Sequence, residues 1–210
     1  MVFRRTTPNM ILNNRHRYIF LVLICLLVVV ILLAFSGLRP ANLEKNSYAE
    51  IGGDFTLTSE SGPVSLFDYN GQVVLLFFGY ASCPDYCPTE LARIGAAIRK
   101  LSNRDIDQTQ GIFVSIDPAR DPIEEVSAYA KFFHKNIIGL TGTAEQVRQV
   151  AEKYFAFYEI VDNEGSSTGY TIDHSLTTYL IGRDGQVVEL VKRDWTSSEL
   201  AQAIRAALRK

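Results

Sequence analysis

The chain has 210 residues, 47% hydrophobic and 21% charged, enough for a core of ordinary size and unlike a disordered or collagen-like polymer. Its formal charge of −2 hides an asymmetry, because the first 35 residues hold Arg4, Arg5, Arg15 and Arg17 and no acid, leaving 23 acidic and 17 basic residues, a charge of −6, for the rest. An acidic remainder without clustered Lys and Arg excludes nucleic acid as its partner, since phosphate neutralisation needs such clusters.

Residues 1–17 read as a cationic cytoplasmic tail. Residues 18–35, YIFLVLICLLVVVILLAF, read as an uncharged transmembrane helix, close to the ~20 apolar residues that cross ~30 Å of hydrocarbon. Arg15, His16 and Arg17 precede this run and a lone Arg39 follows it, so the positive-inside rule keeps the tail in the cytoplasm and exports the rest. The run is longer than the about 7–15 apolar residues of a signal peptide, which favours an anchor held in membrane lipid over a cleaved leader. Leu, Ile and Val cover every face of it, unlike the single stripe of a core helix, and Cys25 within it is an apolar filler. A tail this short suits a bacterial inner membrane with a periplasmic domain. The alternative is the mitochondrial inner membrane, with the domain in the intermembrane space.

Residues 36–49 form a tether, with Gly37 and Pro40 and no periodicity, and residues 50–210 form one domain. Strands are expected at 55–58 and 64–67, and most strongly at 73–78 (VVLLFF), a run apolar on both faces. A helix follows over 89–101 with Pro88 at its first position, then a buried strand at 112–116 and a helix over 122–133 opened by Pro122, with Glu124 and Glu125 in its first turn. A helix over 143–154, a strand at 157–161 and a polar loop 162–169 come next. Strands at 177–181 and 187–191 are joined by the turn Arg183-Asp184-Gly185, and a helix over 197–208 opens on a capping box from Thr196 to Glu199. Alternating elements ending in a hairpin and helix imply an α/β sandwich with a mixed central sheet.

The chemistry concentrates in Gly79-Tyr-Ala-Ser-Cys83-Pro-Asp-Tyr-Cys87-Pro88. The segment follows a parallel-type strand and precedes a helix, where open α/β sheets present ligand-binding loops. Free N–H groups at the helix start favour a thiolate, so a lowered pKa is expected for Cys87 in particular. With three residues between them, the sulfurs can either close a small disulfide or hold one metal. Two thiolates suit soft Cu(I) and leave room for an imidazole, for which the domain offers only His134 and His174. His134 at a helix C-terminus is explained by the helix dipole; His174, ahead of a strand, is either a ligand or an ordinary loop histidine.

Residues 78–89 (FGYASCPDYCPT), 114–121 (VSIDPARD), 139–142 (GLTG) and 173–175 (DHS) followed by Tyr179-Leu-Ile together resemble the Sco/SenC family. These are membrane-anchored, thioredoxin-like copper proteins of cytochrome c oxidase assembly. The resemblance implies a thioredoxin-like sandwich and a ligand set of Cys83, Cys87 and His174 for copper, as Cu(I) and Cu(II). It also implies delivery of copper, with or without electrons, to the dinuclear copper centre of oxidase subunit II. A periplasmic copper donor or thiol reductant would be a further partner. Around these ligands, Asp173 is a candidate to orient the imidazole, Asp117 with Arg120 and Asp121 to approach the rim, and Asp85 and Tyr86 to shape docking or potential.

Such a protein reads as a metallochaperone rather than an enzyme. The enzymatic alternative is a thiol–disulfide oxidoreductase using Cys83 and Cys87 as a redox pair to reduce target cysteines; a copper or redox sensor would use the same residues. Thioredoxin-type catalysts, however, use Cys-x-x-Cys and a proline ahead of a late strand, whereas all seven prolines here lie at or before Pro122. The Pro and Thr that precede the reactive cysteine of a peroxiredoxin are also absent.

Overall fold

The computed structural model describes residues 14–37, 48–162 and 169–210. The expected tail, tether and 162–169 loop fall mostly outside them. Helix α1 (Asn14–Gly37) belongs to one compact unit, and residues 46–210 form a second. Side chains of α1 are described from Arg17 to Leu32, and its large apolar ones are exposed. That stretch is about 24 Å of helix at ~1.5 Å per residue. Among the described residues, no helix is long and apolar enough to cross a membrane.

The second unit opens with a hairpin, β1 (Thr56–Ser59) and β2 (Gly62–Ser65). The strand expected at 64–67 stops at Ser65, whose hydroxyl accepts from the Phe67 N–H and caps a 3₁₀ turn over Leu66–Tyr69, while Asp68 caps Ser65 in return. Strand β3 (Val73–Gly79) is buried at every residue. It lies at the centre of a five-stranded sheet with β4 (Thr109–Ser115), β5 (Ile137–Leu140), β8 (Thr178–Ile181) and β9 (Val187–Val191) in the order β5-β4-β3-β8-β9. The β3–β4 and β4–β5 pairs are parallel, the β3–β8 and β8–β9 pairs antiparallel. The mixed sheet is therefore as the element order implied. A second hairpin, β6 (Tyr158–Asp162) with β7 (Tyr170–His174), stands apart from it.

Neighbouring residues of a strand face opposite ways, and β3 shows what each face covers. Phe78 packs with Tyr154 and Tyr179 on one side, and Tyr154 also meets Phe55. Phe77, on the other side, stacks on Phe113 and reaches Tyr86 and His174. The helices are α2 (Tyr86–Ile98), the short α3 (Asn103–Ile106), α4 (Ile123–Phe133), α5 (Ala144–Lys153) and α6 (Ser197–Leu208). Thr143 and Thr196 close capping boxes on α5 and α6, and Pro122 is the residue before α4 rather than its first. Helix α2 begins at Tyr86, earlier than expected, so Cys87 and Pro88 both lie in its first turn, where the missing proline N–H breaks no helical bond.

Strands β5 and β7 and helix α3 were not anticipated. Gly139 makes β5 weak in pattern but is needed there, because a Cβ would stand 2.3 Å from the Val126 carbonyl of α4. His174 accordingly ends a strand rather than following a loop.

Candidate metal centre

Strand β3 ends at Gly79, where the Ile116 N–H still bonds its carbonyl at 2.8 Å, and the chain then turns through Tyr80–Asp85 into α2. Gly79 is required: a Cβ there would lie 2.7 Å from Cys87 Sγ, so the sulfur rests against bare backbone. Asp85 occupies the cap position but makes no side-chain cap bond. Cys83 Sγ takes that role, accepting the Cys87 N–H at 3.5 Å.

This arrangement reverses the expected pair of thiols. The Cys83 thiol is pulled down to about 3, first by the hydrogen bond from Cys87, then by His174 and the backbone N–H groups of Cys87 and Asp85, against an opposing burial effect. Cys87 is raised well above its usual range by the same bond to Cys83 and by burial. The helix start points its N–H groups at Cys83 because α2 begins before Cys87, which is itself wholly buried. Both cysteines are free thiols.

His174 comes from β7, where it pairs with Tyr158 across the hairpin. Its Nδ1 lies 2.9 Å from the Ser175 carbonyl, an acceptor only, so Nδ1 carries a hydrogen, and Nε2 faces the sulfurs, 3.6 Å from Cys87 Sγ. Tyr80 and Phe77 meet the imidazole edge-on at 5.8 and 6.2 Å. The donor atoms of Cys83, Cys87 and His174 all lie within 4.8 Å of one another, and among the described residues no other His, Cys, Asp or Glu joins them. Two sulfurs and one imidazole nitrogen, with Cys83 and His174 half-buried and Cys87 enclosed, can hold a soft ion at low coordination or close a disulfide.

The surrounding candidates separate. Asp173 is exposed, beside Glu159 of β6, and is not a hydrogen-bond partner of the imidazole, because adjacent strand residues face opposite ways. Asp85 supplies backbone only. Asp117, buried, pairs with Arg120 and accepts the Tyr170 hydroxyl at 2.8 Å. Arg120 also bonds the Tyr170 carbonyl at 2.9 Å and lies 3.5 Å from its ring centroid; these contacts clamp β7, and His174 with it. Tyr86 donates to the Leu176 carbonyl at 3.2 Å. Asp121 is nearer the cysteines than its place in the sequence suggested: its Oδ2 accepts the Ala81 N–H at 2.8 Å and the Ser115 hydroxyl at 2.6 Å. His134 stands apart; its Nδ1 accepts the Asn136 N–H at 3.0 Å. Burial, Arg99 and Lys135 hold its pKa down, outweighing the dipole effect expected of a helix end. Sequence reasoning missed Gly79 and Tyr80 as walls of the site; the abrupt end of an apolar strand at Phe78-Gly79-Tyr80 was the available signal.

Residues 44–209 match the family model described as SCO1/SenC. The chain is 36% identical over 157 residues to protein sco1 of Schizosaccharomyces pombe, covering 74% of this chain and 60% of that protein. It is 34% identical over 171 residues to an SCO2-like protein of Rickettsia conorii, covering 80% and 83% respectively. The chain spans roughly half to two thirds of the length of its fungal and animal relatives. The solved structure of Arabidopsis thaliana ScoI with copper bound matches with a TM-score of 0.70 and 34% identity, over 76% of this chain and 98% of that one. The fold is thus thioredoxin-like, and a family match running from residue 44 to residue 209 makes this chain a member of the SCO1/SenC family.

Proposed function

We propose that this chain is a membrane-anchored copper metallochaperone. It binds one copper through Cys83 Sγ, Cys87 Sγ and His174 Nε2 and delivers it to the dinuclear copper centre of cytochrome c oxidase subunit II. The convergence of these three donor atoms within 4.8 Å carries the reading. The donor set fits the cargo: thiolates prefer Cu(I), the added imidazole suits Cu(II), and a third ligand without a fourth leaves room for an acceptor's ligand to attack. The copper-bound Arabidopsis relative supports the choice of metal. The apolar run 18–35, wholly within α1, supports an anchor in the bacterial inner membrane, a cytoplasmic tail of residues 1–17 and a periplasmic domain of residues 50–210.

Loading weakens as pH falls, because protons compete for the ligands. The test is copper titration of the reduced full chain: one equivalent is expected, with a thiolate-to-Cu(II) charge-transfer band that His174→Ala abolishes while circular dichroism stays unchanged. Failure of the reduced protein to take up copper overturns the proposal.

The ionised Cys83 thiol beside Cys87 favours a second reading, a reductase of the target's cysteines. Mixing copper-loaded and copper-free protein with reduced and oxidised subunit II fragments separates the two. Metal transfer to the reduced fragment supports delivery; loss of the fragment's disulfide to the copper-free form alone supports reduction.

A further inference from the structure

The segment that leads from α5 into the hairpin carrying His174 leaves large apolar side chains in solvent. Phe155 closes the end of α5 at a positive φ of +52°, where its N–H and that of Ala156 bond the Glu152 and Ala151 carbonyls at 3.0 and 2.8 Å, and the residue is 69% exposed. Phe157 and Ile160 are 63% and 58% exposed. With Ala151, Tyr158 and the ion pair of Arg148 and Glu152, the two phenylalanines line an open groove of about 680 Å³. On the hairpin, exposed Glu159 and Asp173 stand directly opposite each other, a like-charge pair that destabilises a ladder, and among the described residues neither forms an ion pair.

Hydrogen bonds join Phe157 of the groove to Ser175, the residue after His174. The Phe157 N–H bonds the Ser175 hydroxyl at 2.9 Å, and the Ser175 N–H returns to the Phe157 carbonyl at 2.8 Å, while the Ser175 carbonyl fixes the His174 ring. Clustered exposed apolar residues that the core does not use mark a surface kept for contact. Exposed Glu159, Asp162 and Asp173 give the hairpin that starts at the groove's edge with Tyr158 a negative charge, which disfavours a second copy of this chain and an anionic bilayer.

We propose that the Phe155–Phe157 groove and the Glu159–Asp173 pair form the docking surface for the metal-receiving protein, which presents apolar side chains bordered by Lys or Arg. This rests on the delivery reading above. The negative hairpin steers the partner in, and the exposed rings hold it with its ligands at the His174 and Cys83 side of the centre.

The test compares the full-length wild type with Phe157→Ser and Glu159→Lys, each copper-loaded in detergent micelles and mixed with a reduced, copper-free domain of oxidase subunit II. Both variants are expected to keep the copper affinity and charge-transfer spectrum of the wild type, and to transfer copper about tenfold more slowly. The wild-type rate falls as salt rises, and that of Glu159→Lys does not. Wild-type rates in both variants overturn the docking surface while leaving delivery intact; so does unchanged transfer accompanied by lost binding to phosphatidylglycerol vesicles or by lost self-association. A wild type that binds copper but transfers none overturns delivery and the surface together.

Discussion

Cys83 and Cys87 are four positions apart, yet the start of α2 gives them unlike thiols. Cys83 accepts hydrogen bonds from the helix end and from Cys87, whereas Cys87 is packed against Gly79 with no accessible surface. A thiol depressed to about 3 is already ionised above mild acid, so its alkylation rate should be nearly flat from about pH 5 to 8. Mass spectrometry of the reduced, metal-free protein treated with iodoacetamide should find Cys83 modified first and Cys87 only after unfolding. A Cys83 rate rising about tenfold per pH unit would contradict the assignment. The cysteines and His174 were legible in the sequence because their residue types and surroundings are distinctive. Which cysteine ionises was not, since that depended on whether the helix began at Tyr86 or Thr89.

Between elements, Asp121 ties the Cys83 loop to the end of β4 through Ala81 and Ser115. Asp121→Ala leaves both donors without their acceptor and should cost about 1–3 kcal/mol in denaturant unfolding, by the loss of buried hydrogen bonds. Asp121→Asn keeps an acceptor and isolates the charge. Burial raises the Asp121 carboxyl, the Ser115 and Ala81 bonds lowering it in part. The native state therefore holds this proton more tightly than the unfolded chain, and its stabilising contribution is present below the ordinary carboxylate pKa and lost as pH rises through the native one. The wild type should lose stability relative to Asp121→Asn as pH rises out of the ordinary carboxylate range; a constant difference would refute this. Long apolar strands and capped helices were legible at this scale, as β3 and α6 illustrate. The short strands were not: β5 carries a glycine demanded by α4, and β7 has only one buried residue among its five.

At the scale of the whole chain, the division of charge into a cationic beginning and an acidic remainder goes with two units, one holding α1 and the other residues 46–210. If the first is an anchor, the full-length protein stays with membranes through a carbonate wash, and a Leu27→Arg, Val28→Arg variant does not. Each central arginine costs about 2.5–3.5 kcal/mol in insertion. Retention of that variant in the washed membranes would count against the span. The order of the sheet has a different consequence, for biogenesis. Cys87 and His174 are 87 residues apart in sequence, and β8, just after the histidine, reaches β3 only when the antiparallel half of the sheet closes. A newly made chain displays its sulfurs well before its imidazole, so the three donor atoms come together only once β7 has reached the loop between β3 and α2.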